Sequence, residues 1–321
     1  MSIDKATNYV RNRLIHFDHI ISQLDISDSC ADVSDIFEEL IWFCCLTQIP
    51  SVTFNSLLEA DFVLKMSCEN LNRLLSRYEY QLEINWARKC VANGRLIGLE
   101  TFPDIDDYRR STRLETDILW ELGVRFARNP ISSNECRAIV TKMVFIGSGP
   151  LPISSMIILS EYAPFIDIYN IDISEEANQL ACVVSQRLLP AHLSVRMHFI
   201  TYDVSQRPIP FEIDSILKGC QLIYVAALVG ENEATKLDIL RNIIVDSSDY
   251  TKVRTVQHVV IRTTDGLRQA LYPKITAEKI AMLQSDATND QDNSRRNLLQ
   301  IESSVHPQND TRMSIIVAKK L

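Results

Sequence analysis

The stretch MVFIGSGPLPISS, Met143 to Ser155, narrows the possible folds more than any other part of the chain. Four apolar residues, Met143 to Ile146, run directly into Gly147, Ser148 and Gly149, with Pro150 and Pro152 close behind. An unbroken apolar run of this length predicts a strand buried on both faces, as in a parallel sheet. Glycines let the chain turn sharply and bring its backbone against a ligand. Proline suits a first helical turn, where the missing N–H has no partner to lose. Strand, glycine turn and helix start together describe the ligand-facing corner of a doubly wound α/β domain. A GxG alone is equally an ordinary strand-to-helix turn, so the residues beyond Ser155 have to decide. The whole chain of 321 residues holds eight glycines, and two of them stand in this turn.

Beyond the turn, the pattern alternates between helix and strand. A helix is expected over Ile153 to Tyr162, then a strand over Ile166 to Ile171 that ends in Asp172. Ser174, with Glu175 and Glu176 behind it, is a good N-cap and acidic first turn for the next helix, to about Leu188. A third strand, Val195 to Thr201, runs into Tyr202 and Asp203, and a fourth, Leu222 to Leu228, closes in Ala226-Ala227-Leu228 before Gly230. A helix over Glu231 to Val245 and a strand over Val256 to Arg262 complete the series. Ser285 to Arg296 reads as a polar loop or insertion. Leu298–Val305 and Met313–Ala318 then form a hairpin. This is an α/β arrangement: a Rossmann-like, class I methyltransferase-type domain.

The first part of the chain reads as helices. Apolar residues at helical spacing predict one over Asp4 to Leu24 and a second over Asp35 to Leu46. A long one is expected from Asn55 to Val91. On it Glu79 and Glu83 lie one turn apart among Tyr78, Tyr80, Leu82 and Trp86. Each is either an exposed helix charge or a carboxylate tuned as a base. FPDIDDYRRSTRLE, from Phe102, reads as a loop entering a helix capped by Asp107 or Ser111. Ser132 to Asn134 is the expected boundary, giving an all-helical N-terminal domain over residues 1–130 and the α/β domain over 131–321.

Acidic residues at strand ends give the sheet a chemical reading. Ligands of an open α/β sheet sit beyond the carboxyl ends of its strands. Asp172 comes after the glycine turn at about the ~20-residue offset of a ribose-binding carboxylate, and Asp203 stands where an adenine amino group would be met. Each alone is equally a cap or loop aspartate; in register with the glycine turn they point to a nucleoside. Pro152 occupies the third glycine position of GxGxxG, so S-adenosyl-L-methionine suits the corner better than NAD. Composition narrows the partners. A net charge of -8 argues against general nucleic-acid or anionic-membrane binding. Eight scattered cysteines without a CxxC suit reduced thiols in a cytoplasmic protein, and no zinc or other metal site is expected. His16 and His19, one turn apart, lack a third ligand. No secretory signal or membrane-spanning run is visible. A small-molecule substrate is expected, with a homodimer left open.

FIGSGPLPISS, the acidic end of IYNIDIS, YVAALVG, RTTDGLRQALYP and VHPQND with MSIIVAKK resemble nicotianamine synthases. The resemblance reaches back through FPDIDDYRRSTRLE to LEINW, so it spans roughly Leu75 to Leu321. It implies a helical domain over a Rossmann-like one, and S-adenosylmethionine used as a donor of its 3-amino-3-carboxypropyl group, with methylthioadenosine released. It implies that Glu83 and Tyr108 hold and deprotonate the attacking amine. Gly147, Ser148, Gly149, Pro150, Asp172, Asp203, Ala226 and Ala227 would bind the donor. Arg262, at a strand end, either pairs with a substrate carboxylate or makes a structural ion pair. The family's loop is tyrosine-rich, of the form FPYYxNY, where this chain has Asp104, Ile105 and Asp107; RTTDG also departs from the family form. Both changes bear on the acceptor. Three activities stay open: aminocarboxypropyl transfer to an amine, cyclisation of S-adenosylmethionine to azetidine-2-carboxylate, and a methyltransferase or non-catalytic binding protein on the same fold.

Overall fold

A computed structural model describes residues 3–26, 31–92, 98–127, 139–244, 258–284, 297–307 and 312–321. Helices open the chain: α1 (Ile3–Ile21), α2 (Ala31–Leu46), α3 (Ser51–Ala60), α4 (Phe62–Val91) and α5 (Ile105–Glu121). After them comes a two-residue parallel ladder, β1 (Arg125–Phe126) with β2 (Ile139–Val140), too short to leave a sequence pattern. The α/β series then runs β3 (Lys142–Ile146), α6 (Ile153–Ile157), β4 (Asp167–Asp172), α7 (Glu175–Leu188), α8 (Ala191–Ser194) and β5 (Met197–Thr201). It continues with α9 (Phe211–Gly219), β6 (Leu222–Val225), α10 (Glu233–Ile244), β7 (His258–Thr263), α11 (Ala277–Ala281), β8 (Leu299–Val305) and β9 (Ser314–Lys320).

The main sheet has the order β5-β4-β3-β6-β7-β9-β8. Strands β3 to β7 are parallel, and the terminal hairpin β8–β9 adds antiparallel to β7. The chain winds outward from β3 in both directions, so a crevice opens at that strand's carboxyl end, where such sheets bind ligands. Side chains alternate between the faces. Met143, Phe145, Tyr224, Val260 and Val317 pack on one side with Ala87 and Cys90 of α4 and Ile118 and Leu119 of α5. Val144, Ile146, Ile223, Val225 and Ile261 pack on the other with α9 and α10. Each such side chain, fully buried, contributes roughly 1.5–3 kcal/mol against the conformational entropy of ordering the chain.

A separate core joins α1, α2, α3 and the first half of α4 to Leu267, Ala270, Leu271 and Tyr272, which lie after β7. Helix α4 therefore belongs to two cores. Leu64, Leu71 and Leu75 sit in the helical one, Ala87 and Cys90 against the sheet, and Leu82 packs against both. Its middle turns, with Glu79 and Glu83, lie between them.

The expected helix over Asn55 to Val91 is two helices. Asp61 is extended (φ -117°, ψ 97°) and its carboxylate accepts from the Leu64 N–H at 3.0 Å, capping α4. Apolar periodicity continues across the break, which is why the pattern hid it. α5 begins at Ile105, ahead of the caps expected at Asp107 or Ser111; the residue before it, Asp104, turns its carboxylate to Arg312 instead. The expected fourth strand ends at Val225, and Ala226 to Leu228 leave the ladder to line the crevice. Ser174 caps α7 by accepting from the Ala177 N–H at 3.1 Å, as its sequence context predicts. The boundary at 132–134 and the polar run at 285–296 lie outside the described residues. Among the described residues no single helix is long and apolar enough to cross a membrane; α2 and α3 pass by composition only as a pair bent by 119°.

Candidate active site

A cavity of about 690 Å³ lies between the carboxyl edge of the sheet and the middle of α4. Its floor is the turn after β3. Gly147 (φ 76°) and Gly149 (φ 67°) are left-handed, a conformation that costs an L-residue roughly 1–2 kcal/mol. Space is short as well: a Cβ on Gly147 would stand 2.4 Å from Val229 Cγ2, and one on Gly149 would stand 2.6 Å from Glu83 Oε2, which would have to move aside. The second figure shows how closely the helical layer approaches the glycine turn.

Asp172 ends β4 beside this turn. Its Oδ2 accepts from the Gly149 N–H at 2.9 Å and its Oδ1 from the Ser174 N–H at 3.0 Å. Two backbone donors fix the carboxylate's orientation at the cavity wall, and each oxygen retains a lone pair. Ser148 Oγ is buried with no hydrogen-bond partner, and Ser148 lines the cavity. An orphaned hydroxyl there suits a polar ligand. Pro150, by contrast, is not among the lining residues, so its part is to shape the turn. Asp203 lines the cavity too, but its carboxylate is turned onto Ser205 N–H (2.9 Å), Ser205 Oγ (2.6 Å) and Gln206. These bonds hold its pKa below the usual carboxylate range and make it first of all a loop-ordering residue.

Ala226 and Ala227 line the cavity and are fixed from behind by Lys236, a residue the sequence pattern did not single out. Its side chain is fully buried on α10, and Nζ donates to Ala226 O (2.9 Å), Ala227 O (2.8 Å) and Arg262 O (2.9 Å). All three ammonium donors are used. Burial, with the Arg262 charge nearby, pulls this lysine down to about 7. One side chain thus ties together the ends of β6 and β7.

The roof is α4. Glu83 Oε1 accepts from Tyr108 OH of α5 at 2.8 Å. Burial pushes the Glu83 carboxyl up to about 8; the tyrosine bond opposes the rise, and Glu79, Asp172 and Asp104 add to it. A carboxylate so placed binds a proton near neutral pH, as a general base must. The dyad is walled by Phe102, which packs edge-on against both Tyr108 and Trp86. One turn earlier Glu79 accepts from Tyr272 OH, and burial raises it to about 7. Arg312, just before β9, forks onto Asp104 at 2.5 and 3.3 Å and approaches Asp107 at 3.7 Å and Glu79 at 3.9 Å. Tyr80 OH bonds Ser174 Oγ at 2.8 Å, tying α4 to the N-cap of α7.

Of the two roles open for Arg262, the structure supplies the ion pair. Its Nε and Nη2 bond Glu115 of α5 at 2.6 and 2.9 Å, and Nη2 reaches Ser154 Oγ at 3.0 Å. Glu115 is fully buried and Arg262 is nearly so, and the pair pins α5 to the sheet beneath the cavity. Sequence reading missed Glu115 because nothing local relates positions 115 and 262. The two departures in the sequence also separate. Asp104 and Asp107 face the cavity, whereas Asp265 of RTTDG accepts from Ser51 Oγ and Lys274 Nζ and ties α3 to the segment after β7. Among the described residues no three His, Cys, Asp or Glu side chains group as a metal site.

Known proteins resemble this chain over most or all of its length. Nicotianamine synthase of Solanum lycopersicum is 24% identical over 321 residues, covering 100% of this chain and 78% of that protein. Nicotianamine synthase 9 of Hordeum vulgare is 26% identical over 301 residues, covering 94% and 75%. A crystal structure of MtNAS in complex with MTA and tNA superposes with a TM-score of 0.66 at 16% identity, covering 100% of this chain and 99% of that one, which establishes the shared fold. The family model described as "Nicotianamine synthase protein" matches residues 3–321. The chain therefore belongs to the nicotianamine synthase family.

Proposed function

We propose that this protein transfers the 3-amino-3-carboxypropyl group of S-adenosylmethionine to an amine and releases methylthioadenosine, as the family's name for its product implies. The observation that carries the reading is one cavity holding a nucleoside corner and a buried base in contact. Glu83 Oε2 lies against Gly149 of the turn, while its Oε1 holds Tyr108. The turn, the unpartnered Ser148 hydroxyl and Asp172 fit the donor's nucleoside and charged groups. Asp172 offers its remaining lone pairs to ribose hydroxyls. Helices α4 and α5 roof a donor site carried by the carboxyl edge of the sheet.

An ammonium has no lone pair, so the acceptor must lose a proton before it attacks. Glu83, steered by Tyr108, takes that proton. The amine then forms a C–N bond at the chain carbon attached to sulfur; the C–S bond breaks, and its electron pair stays on the sulfur of methylthioadenosine. The sulfonium activates three carbons, so selection is by position: transfer of the chain requires its sulfur-bound carbon, and not the methyl, to face the amine held at Glu83. Family membership favours this transfer over cyclisation or methyl transfer, and a reduced, cytoplasmic setting accords with cysteines that form no disulfide among the described residues. Incubating the purified protein with S-adenosylmethionine alone tests the reading by mass spectrometry. Methylthioadenosine with nicotianamine supports it; azetidine-2-carboxylate, or S-adenosylhomocysteine on adding an acceptor, refutes it.

A further inference from the structure

The cavity contains a second carboxylate–tyrosine pair, which a single aminocarboxypropyl transfer does not use. Glu79 and Glu83 are four residues apart on α4, so their positions are separated by about 6 Å along the helix. Each accepts a phenol O–H: Glu83 from Tyr108 of α5, and Glu79 from Tyr272 beyond β7. Glu79, Glu83, Tyr108 and Tyr272 all line the same cavity. Surrounded by protein, the Glu79 side chain is still 19% exposed.

The contacts of Glu79 are one-sided. The tyrosine bond and the 3.9 Å approach of Arg312 both fall on Oε1. Arg312 commits its fork to Asp104. Glu79 is thus oriented, yet lacks the close bidentate pairing that makes Glu115 a purely structural carboxylate. Beyond the Arg312 approach, a once-extended acceptor brings a second cation of its own. After one transfer, the acceptor carries a secondary nitrogen and the new α-amine, with three carbons between them. With bonds of about 1.5 Å, that pair of nitrogens spans roughly 5 Å when extended. This is close to the spacing of the two carboxylates on α4.

We propose that Glu79, held by Tyr272, grips the trailing nitrogen of the once-extended acceptor as an ammonium, while Glu83 deprotonates the leading α-amine for the next transfer. The inference rests on the proposed transfer activity. It assigns the site an acceptor class, a diamine with a three-carbon spacing, and gives the two dyads different tasks. In the second transfer Glu83 takes the proton of the leading amine, the new C–N bond forms as C–S breaks, and methylthioadenosine leaves with the electron pair. The trailing nitrogen keeps its proton and its ion pair with Glu79 throughout. Burial pushes the Glu79 carboxyl up to about 7 even with Arg312 nearby, which accords with a group that ionises more completely when a further cation arrives.

The test compares wild type, Glu79→Gln and Tyr272→Phe after incubation with S-adenosylmethionine, counting aminocarboxypropyl units per product by mass spectrometry. Calorimetric binding of methylthioadenosine to each variant establishes that the donor site is intact. A charge-assisted hydrogen bond contributes about 1.5–3 kcal/mol, so Glu79→Gln should lower the ratio of doubly to singly extended product about 10- to 100-fold while the first transfer persists. Tyr272→Phe should shift the ratio the same way, by less. An unchanged ratio in both variants, or an equal fall in first and later transfers, overturns the proposal. If wild type itself forms no aminocarboxypropylated product, the transfer reading fails, and the role of Glu79 with it.

Discussion

The two ends of the cavity are built by different means. The donor end is made largely of backbone: a glycine turn after β3, and Asp172 at the end of the adjacent strand held by amides of residues 149 and 174. The acceptor end is made of side chains that converge from distant parts of the chain: Glu79 and Glu83 on α4, Asp104 and Tyr108 at α5, Tyr272 after β7 and Arg312 before β9. A site that must hold an invariant nucleoside can be written into the carboxyl ends of neighbouring strands, each with its own short local signal. A site that must select and deprotonate an amine needs several charges enclosed together, and no single unit of secondary structure can enclose them.

If the ends are functionally separate, substitutions should separate them as well. The largest effect is expected for Glu83→Gln. General-base catalysis is typically worth about 10²–10⁴-fold, so turnover should fall by that range while calorimetric affinity for methylthioadenosine is kept. Equal activity would remove Glu83 from the chemistry. Glu115→Gln leaves a buried arginine without its counter-charge, which costs about 3–5 kcal/mol; a lowered denaturation midpoint checks it. If stability holds while KM alone rises, the arginine serves substrate rather than structure. Asp172→Ala should weaken binding of S-adenosylmethionine and of methylthioadenosine alike, by about 1.5–3 kcal/mol for each ribose hydrogen bond lost. Unchanged affinity would take Asp172 out of the donor end.

The smallest effect is a shift in pH dependence. Glu83 acts only when ionised, so kcat/KM should rise with pH as the carboxyl titrates, around pH 8. The Tyr108 bond lowers the Glu83 value, and Tyr108→Phe removes it, so the rise should move to higher pH. A rise that stays in place would mean that the limb belongs to another group, Glu79 being the neighbour to try next.

How much could be read in advance obeys the same division. Met143 to Gly149 announced a buried strand and a turn because the signal is local, and Ser174 capped the helix that its acidic neighbours foretold. Asp61 went unnoticed because apolar spacing runs unbroken through it, and a cap is visible only once the helix has ended. Arg262 stood out as a strand-end cation, but its partner Glu115 lies 147 positions earlier. Lys236 read as one more helix lysine, since its three carbonyl partners are backbone atoms of β7 and of the loop after β6. Asp104 and Asp107 read as departures from a tyrosine-rich loop, with no sign that Arg312 would meet them.

By itself the sequence determined the alternation of strands and helices, the left-handed turn and the carboxylate beside it. Each rests on hydrophobic period or backbone sterics, which act within a few residues. Only the tertiary structure decided which charges share the enclosed space, because burial and pairing depend on neighbours brought together by packing. The acidity of Glu79 and Glu83 is the clearest instance: the same two letters on a solvated helix would titrate as ordinary carboxylates. Here, enclosed between two cores, they are held near neutral.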